Sequence, residues 1–239
     1  MKPTVLIYAA FHGRPEISAI YAEGIRCLQK SFEDYAEIVP YGVCSTDEDA
    51  LQLESFGFNY TIEENRPLGR KLSKGLNQAL KDIQFDAAVL LGSDDIMTDY
   101  CFDVILHAIQ KGHRYGGISQ ISILNPKTKQ AGDWHQLSNM KMPFCGPGKF
   151  FSRDLLEQWA GRIWPYNIDR VLDISSHNKV KSYLGYDGKR LQLTESGIFD
   201  IKSGTNIWKY EELKNLKPAD YWERLAMLPP SVQIMIEAL

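Results

Sequence analysis

Two adjacent carboxylates, Asp94 and Asp95, stand where the apolar run from Ala87 to Leu91 ends. Like charges in one site disfavour joint ionisation, so a compensating positive charge is expected beside them. Carboxylates are hard oxygen ligands, and the partner they suit is Mg²⁺ or Mn²⁺. The alternative is a helix cap, but Thr98 and Asp99 are better placed to cap the next helix, which frees the pair for a cation. A second segment, "ENRPLGRKLSKGLNQAL", gathers Asn65, Arg66, Gly69, Arg70, Lys71 and Lys74 around a helix start. Backbone N–H groups and the positive end of the helix dipole favour anions there, although a solvated basic face would have the same composition. Carboxylates for a metal and basic groups for phosphates together fit a nucleoside diphosphate.

These groups depend on the elements that carry them. The pattern predicts strands over 3–10, 36–43, 58–62 and 87–91, alternating with helices over 17–32 and 68–83. Between the second and third strands, Ser45, Thr46 and Asp47 can cap a short helix that Gly57 ends. Such alternation predicts an α/β fold with a mostly parallel sheet covered on both faces. Ligands on such sheets bind beyond the carboxyl ends of the strands, where "FHGRP", "CSTDED" and "GSDD" converge. The second half reads differently, as hairpin-like strands, a glycine-rich turn and a helix from Ser152 or Arg153. The expected organisation is a nucleotide-binding half over 1–115, a second half of the same domain over 116–210, and a helical tail over 211–239.

The 239 residues are 44% hydrophobic and 24% charged, an ordinary balance for a globular protein. A net charge of -3 and a pI near 6.0 give no global attraction to nucleic acid or an anionic membrane. Cys27, Cys44, Cys101 and Cys145 show no zinc spacing, and Cys27 and Cys101 fall inside apolar patterns as expected buried thiols of a reducing compartment. The N-terminus turns polar too soon for a secretory signal, and no run approaches the roughly 18 apolar residues of a membrane span. A cytoplasmic protein without an integral membrane segment is expected.

The succession "VLIYAAFHGRPEI", "EIVPYGVCSTDED", "NRPLGRKLSKGLNQAL", "AVLLGSDDIM" resembles the nucleotide-sugar-binding half of a GT-A (Rossmann-like) glycosyltransferase, nearest the family-two group. The resemblance covers residues 3–105 and continues more weakly to Asp173. It implies that Arg14 contacts the nucleotide, that the Ser45 to Asp47 segment reads the base, and that Asn65 and Lys71 lie along the diphosphate. It makes Asp95 the direct metal ligand, with Asp94 toward the ribose or bound through water. Gly92 stands where many relatives carry a further acid. The resemblance also implies inversion at the anomeric carbon, which needs a base on the acceptor side. Asp169 and Asp173, at helical spacing in "WPYNIDRVLDIS", are the candidates, with Asp173 nearer the position of the relatives' acid.

Other residues carry paired readings. His135 is a metal or acceptor contact, or a plain loop histidine. Trp134 and Trp164 stack on a ligand or pack in the core. Residues Phe199 to Trp208, with Asp200, Lys202 and Asn206, form a phosphate-side lid or a loop. The acceptor hydroxyl belongs to a glycan, or to a modified base of phage DNA. The competing functions are a nucleotidyltransferase, disfavoured by the single glycine of "AAFHGRPEI", and a non-catalytic nucleotide-sugar-binding module.

Overall fold

Residues 2–135, 143–203, 210–213 and 216–239 are described by the structure, a computed structural model. The chain begins with β1 (Thr4–Ala10), α1 (Pro15–Ser31), β2 (Glu37–Cys44), α2 (Asp47–Ser55), β3 (Asn59–Ile62), α3 (Leu68–Asp82) and β4 (Ala87–Leu90). There follow β5 (Asp95–Met97), α4 (Asp99–Gln110), β6 (Tyr115–Ile118), β7 (Gln120–Asn125), β8 (Gln130–His135) and β9 (Lys149–Ser152). The remainder is α5 (Arg153–Glu157), α6 (Leu172–Leu184), β10 (Lys189–Leu191), β11 (Ile198–Ile201), β12 (Lys217–Ala219), α7 (Tyr221–Leu225) and α8 (Pro230–Glu237).

Val5 to Ala9 are buried on both faces, as a central parallel strand requires. β1 accordingly pairs in parallel with β2 on one side and β4 on the other. Among the described residues the main sheet runs β10-β6-β9-β4-β1-β2-β3. β9 enters it antiparallel to both β4 and β6. Its faces are covered by two apolar cores, one including Ile17, Ile20, Ile25 and Leu28 of α1, the other Leu76, Ala79 and Leu80 of α3. A second sheet, β12-β8-β7-β11-β5, contains the β7–β8 hairpin.

Local chemistry accounts for the element ends nearest the site. Thr46 caps α2 by accepting from the Asp49 backbone N–H at 3.1 Å, and Thr98 caps α4 by accepting from Cys101 N–H at 3.2 Å. Thr98 therefore does the capping that would otherwise occupy the acidic pair.

Four features depart from the sequence expectations. β5 begins at Asp95 and leaves the first half of the chain to join the second sheet. The C-terminal stretch is not wholly helical, because β12 pairs with β8 before α7 starts. Cys101 is buried but Cys27 is only partly so, since it faces Glu23 and Ser231 at the rim of α1. Residues Phe199 to Ile201 form a strand rather than a lid, because the mostly buried Ile198, Phe199 and Ile201 pack between β5 and β7. Asn206 and Trp208 lie outside the described residues.

Candidate active site

β4 delivers the chain into a tight turn. Asp95 N–H donates to the Gly92 carbonyl at 3.0 Å, and Gly92 N–H donates to Asp95 Oδ2 at 2.5 Å. A Cβ on residue 92 would lie 2.6 Å from Asp94 Oδ1 and 2.7 Å from Asp95 Oδ2. Glycine is thus required for both carboxylates to fold back over that position, and a further acid would displace them. Arg14, from the turn after β1, donates to Asp94 Oδ2 at 3.0 Å and to Ser93 Oγ at 2.8 Å.

A third carboxylate joins the pair from the second sheet. Asp200 of β11 lies opposite Asp95 in the antiparallel ladder, with Lys202 Nζ 2.6 Å from its Oδ2. Asp200 Oδ1 is buried without a hydrogen-bond partner. Burial, then Asp200 and Asp94, push the Asp95 carboxyl well above its usual range. Burial and Asp94 push Asp200 up to about 6, against the opposing effect of Lys202. Among the described residues, Arg14 and Lys202 are cations set against these three carboxylates. Among the described residues no three acidic, imidazole or thiol groups form a ready cage. An orphaned buried oxygen and an all-carboxylate donor set nevertheless fit a hard cation that takes its other ligands from phosphate and water.

Lys71 forms the floor beside this cluster. Only 1% exposed, it donates to the Phe11 carbonyl at 2.6 Å, Ser45 Oγ at 2.5 Å and Asn65 Oδ1 at 3.2 Å. Burial lowers its ammonium to about 8. Its donors are spent on the turns after β1, β2 and β3, so Lys71 binds the floor together where the resemblance had it facing a diphosphate. Asp47 is exposed at the first residue of α2. The buried acid of that segment is Asp49, which accepts from Gly13 N–H at 2.8 Å and ties α2 to the β1 turn.

Asp169 and Asp173 do not share a helix face. Val171 takes a left-handed φ of 57°, and α6 starts only after it. Asp169 Oδ1 instead accepts from Leu68 N–H at 2.8 Å at the start of α3, while the Ile168 carbonyl accepts from Gly69 N–H at 2.9 Å. Asp169 is thus a cap supplied by another loop. Asp169→Ala should lower stability by about 1 kcal/mol, measured by urea unfolding; an unchanged midpoint would contradict the capping role.

Asp173 is placed differently. It sits in the first turn of α6, half-exposed, with Oδ1 3.1 Å from Nζ of Lys149, whose side chain is 0% exposed. Lys149 lies opposite Leu90 at the end of β4, which puts the pair on the sheet edge that carries the acidic turn. Gly146 backs Asp173, since a Cβ there would lie 2.6 Å from Asp173 Oδ2. The neighbouring buried Cys145 thiol is pushed up by burial first, and by both Asp173 and Asp95.

The remaining candidates fall elsewhere. Trp164 is a core residue of the α3 side, and Trp134 is partly buried against the opposite core. His135 lines a cavity of about 300 Å³ on the second sheet with Asp133, Glu195 and Arg224, and that lining includes none of Asp94, Asp95 or Asp173.

The strand order, the antiparallel β9 and the acidic turn after β4 define a GT-A fold. Among solved structures sharing it is Staphylococcus aureus TarS 1–349 in complex with UDP-GlcNAc, with a TM-score of 0.55 and 17% identity over 100% of this chain and 71% of that one. Glucosyl-3-phosphoglycerate synthase from Mycobacterium tuberculosis, in complex with Mn²⁺, UDP and glucosyl-3-phosphoglycerate, gives 0.52 and 12% over 83% of this chain and 70% of its own. In another TarS 1–349 structure the match, with a TM-score of 0.50 and 15% identity, covers 84% of this chain and 60% of that chain. No protein-family model matches the sequence, and no curated protein is significantly similar to it. None of the described helices is long and apolar enough to cross a membrane.

Proposed function

We propose that the chain is a metal-dependent, inverting glycosyltransferase that moves a sugar from a nucleotide-diphosphate sugar to a hydroxyl acceptor, with a glycan as the acceptor class. The observation that carries this reading is that the Asp94–Asp95 turn follows β4, while Lys149, paired with the separate, half-exposed Asp173, lies opposite Leu90 at the end of the same strand. The fold neighbours complexed with UDP-GlcNAc, and with UDP and Mn²⁺, favour a uridine nucleotide and Mn²⁺.

Asp95 and Asp94 would hold the cation, with Asp200 behind them. A divalent cation bound there supplies charge neutralisation for the departing diphosphate. Arg14 orients Asp94 and Ser93 from the nucleotide side, and Lys71, Ser45 and Asn65 keep the floor in register. Asp173 takes the proton of the acceptor hydroxyl while that oxygen bonds to the anomeric carbon and the bond to the diphosphate breaks. Calorimetric titration of UDP and GDP, with and without Mn²⁺, tests the donor site. Metal-enhanced binding of one nucleotide is expected, and binding of neither at millimolar concentration would overturn the proposal.

The cation should also show a defined pH dependence. Burial and Asp94 push the Asp200 carboxyl up to about 6 from an ordinary 3.8, so between those values the folded state binds more protons than the unfolded one. Without metal, ionisation of this group therefore costs stability as pH rises from about 4 through about 6. Cation binding needs the ionised form, so Mn²⁺ should raise Tm clearly at about pH 7.5 and little at about pH 5. Equal shifts at both pH values would contradict the role of the acidic cluster.

A further inference from the structure

We propose that Lys149 is a positioning residue for Asp173, a buried ammonium that fixes the first turn of α6 and aims the carboxylate at the acceptor hydroxyl. This rests on the reading of Asp173 as the base. A lysine is almost never wholly buried without a partner, and for stability alone an apolar side chain of similar length would often serve as well. The Lys149 backbone is held in the ladder with Leu90 of β4, so its side chain projects from a rigid strand.

Its Nζ lies 3.1 Å from Asp173 Oδ1, 2.9 Å from the Asp173 carbonyl and 3.5 Å from Ser176 Oγ. All three acceptors belong to the first turn of α6. Ser176 Oγ also donates to the Asp173 carbonyl at 3.0 Å, closing the group on itself. The neighbouring His177 is anchored in turn by the Tyr115 hydroxyl, 3.2 Å from Nδ1.

The backbone before this turn is strained. Val171 is β-branched yet sits at φ 57°, a conformation that persists only where the surroundings over-determine it. Lys149 holds the turn that follows Val171 from the sheet side. With Oδ1 engaged by Lys149, Asp173 keeps Oδ2 beside Gly146 to receive a proton. The acceptor proton passes to this oxygen, the acceptor oxygen bonds to the anomeric carbon, and the electron pair of the broken bond leaves with the diphosphate.

The test is a double-mutant cycle of Lys149→Met and Asp173→Asn, with UDP-GlcNAc and UDP-glucose in Mn²⁺ and UDP release as the readout. Lys149→Met should lower kcat about tenfold to a hundredfold, with donor KM and UDP affinity changed less than about twofold. In the Asp173→Asn background the same change should alter kcat by less than about twofold, because the two residues act as one unit. Should Lys149→Met fail to fold, Lys149→Gln keeps an N–H donor without the charge and should show a smaller loss of kcat alone. Equal losses in both backgrounds, or a loss confined to KM, would overturn the positioning role while leaving Asp173 as base. Native-like kcat in Asp173→Asn would overturn the base reading and this role with it, and so would absence of turnover by the native protein.

Discussion

Asp95→Asn is expected to reduce metal-dependent turnover at least a hundredfold and, in the same protein, to raise the Tm measured in EDTA. Both effects follow from one position. Asp95 is buried between Asp94 and Asp200, and its carboxyl is pushed up by burial and by those two acids. Removing the charge relieves that repulsion, and the amide retains an oxygen to accept from Gly92 N–H. A gain of about 2–4 °C corresponds to about 1 kcal/mol for a chain of this size. The same change removes the anionic oxygen proposed to hold the cation, and preorganised electrostatic groups of this kind are worth about a hundredfold to a thousandfold in kcat. A structural carboxylate would lose stability and activity together. Opposite signs are the signature of a charge kept for binding, and a lower Tm in EDTA would contradict it.

Asp173→Asn is expected to lower kcat by about a hundredfold to ten-thousandfold while leaving UDP affinity within about twofold. The amide oxygen can still accept from Lys149, and Ser176 still satisfies the Asp173 carbonyl, so the first turn of α6 should survive. What is lost is the capacity to take a proton. The measurement is steady-state kinetics beside calorimetric UDP titration. A kcat within about threefold of native would place the base elsewhere, and a large loss of UDP affinity would make Asp173 part of the donor site instead.

Legibility in the sequence tracked the range of the interactions. The strands and helices up to β4 were readable because hydrophobic periodicity and capping are local, as Thr98 at the head of α4 illustrates. The acidic pair was readable for the same reason, its two members being neighbours in the chain. In the sequence Asp200 stands only in a segment that reads as a lid or a loop, because its approach to Asp95 is made by an antiparallel ladder between distant strands. Nothing near Lys149 in the chain announces that β9 inserts beside β4 and carries it to Asp173. Asp49 was hidden beside Asp47, because the depth of each acid depends on how α2 packs against the β1 turn. The helical spacing of Asp169 and Asp173 misled, because a left-handed Val171 breaks the period between them. A β-branched residue carries no local signal for that conformation.

The most direct measurement of the central claim is nucleotide release from a panel of UDP- and GDP-sugars, with Mn²⁺ and with EDTA, by the native protein and by Asp95→Asn. The expected result is turnover of one donor class that requires the metal and disappears in Asp95→Asn. Turnover of no donor by folded native protein in Mn²⁺, or turnover that Asp95→Asn leaves intact, would contradict the transferase reading.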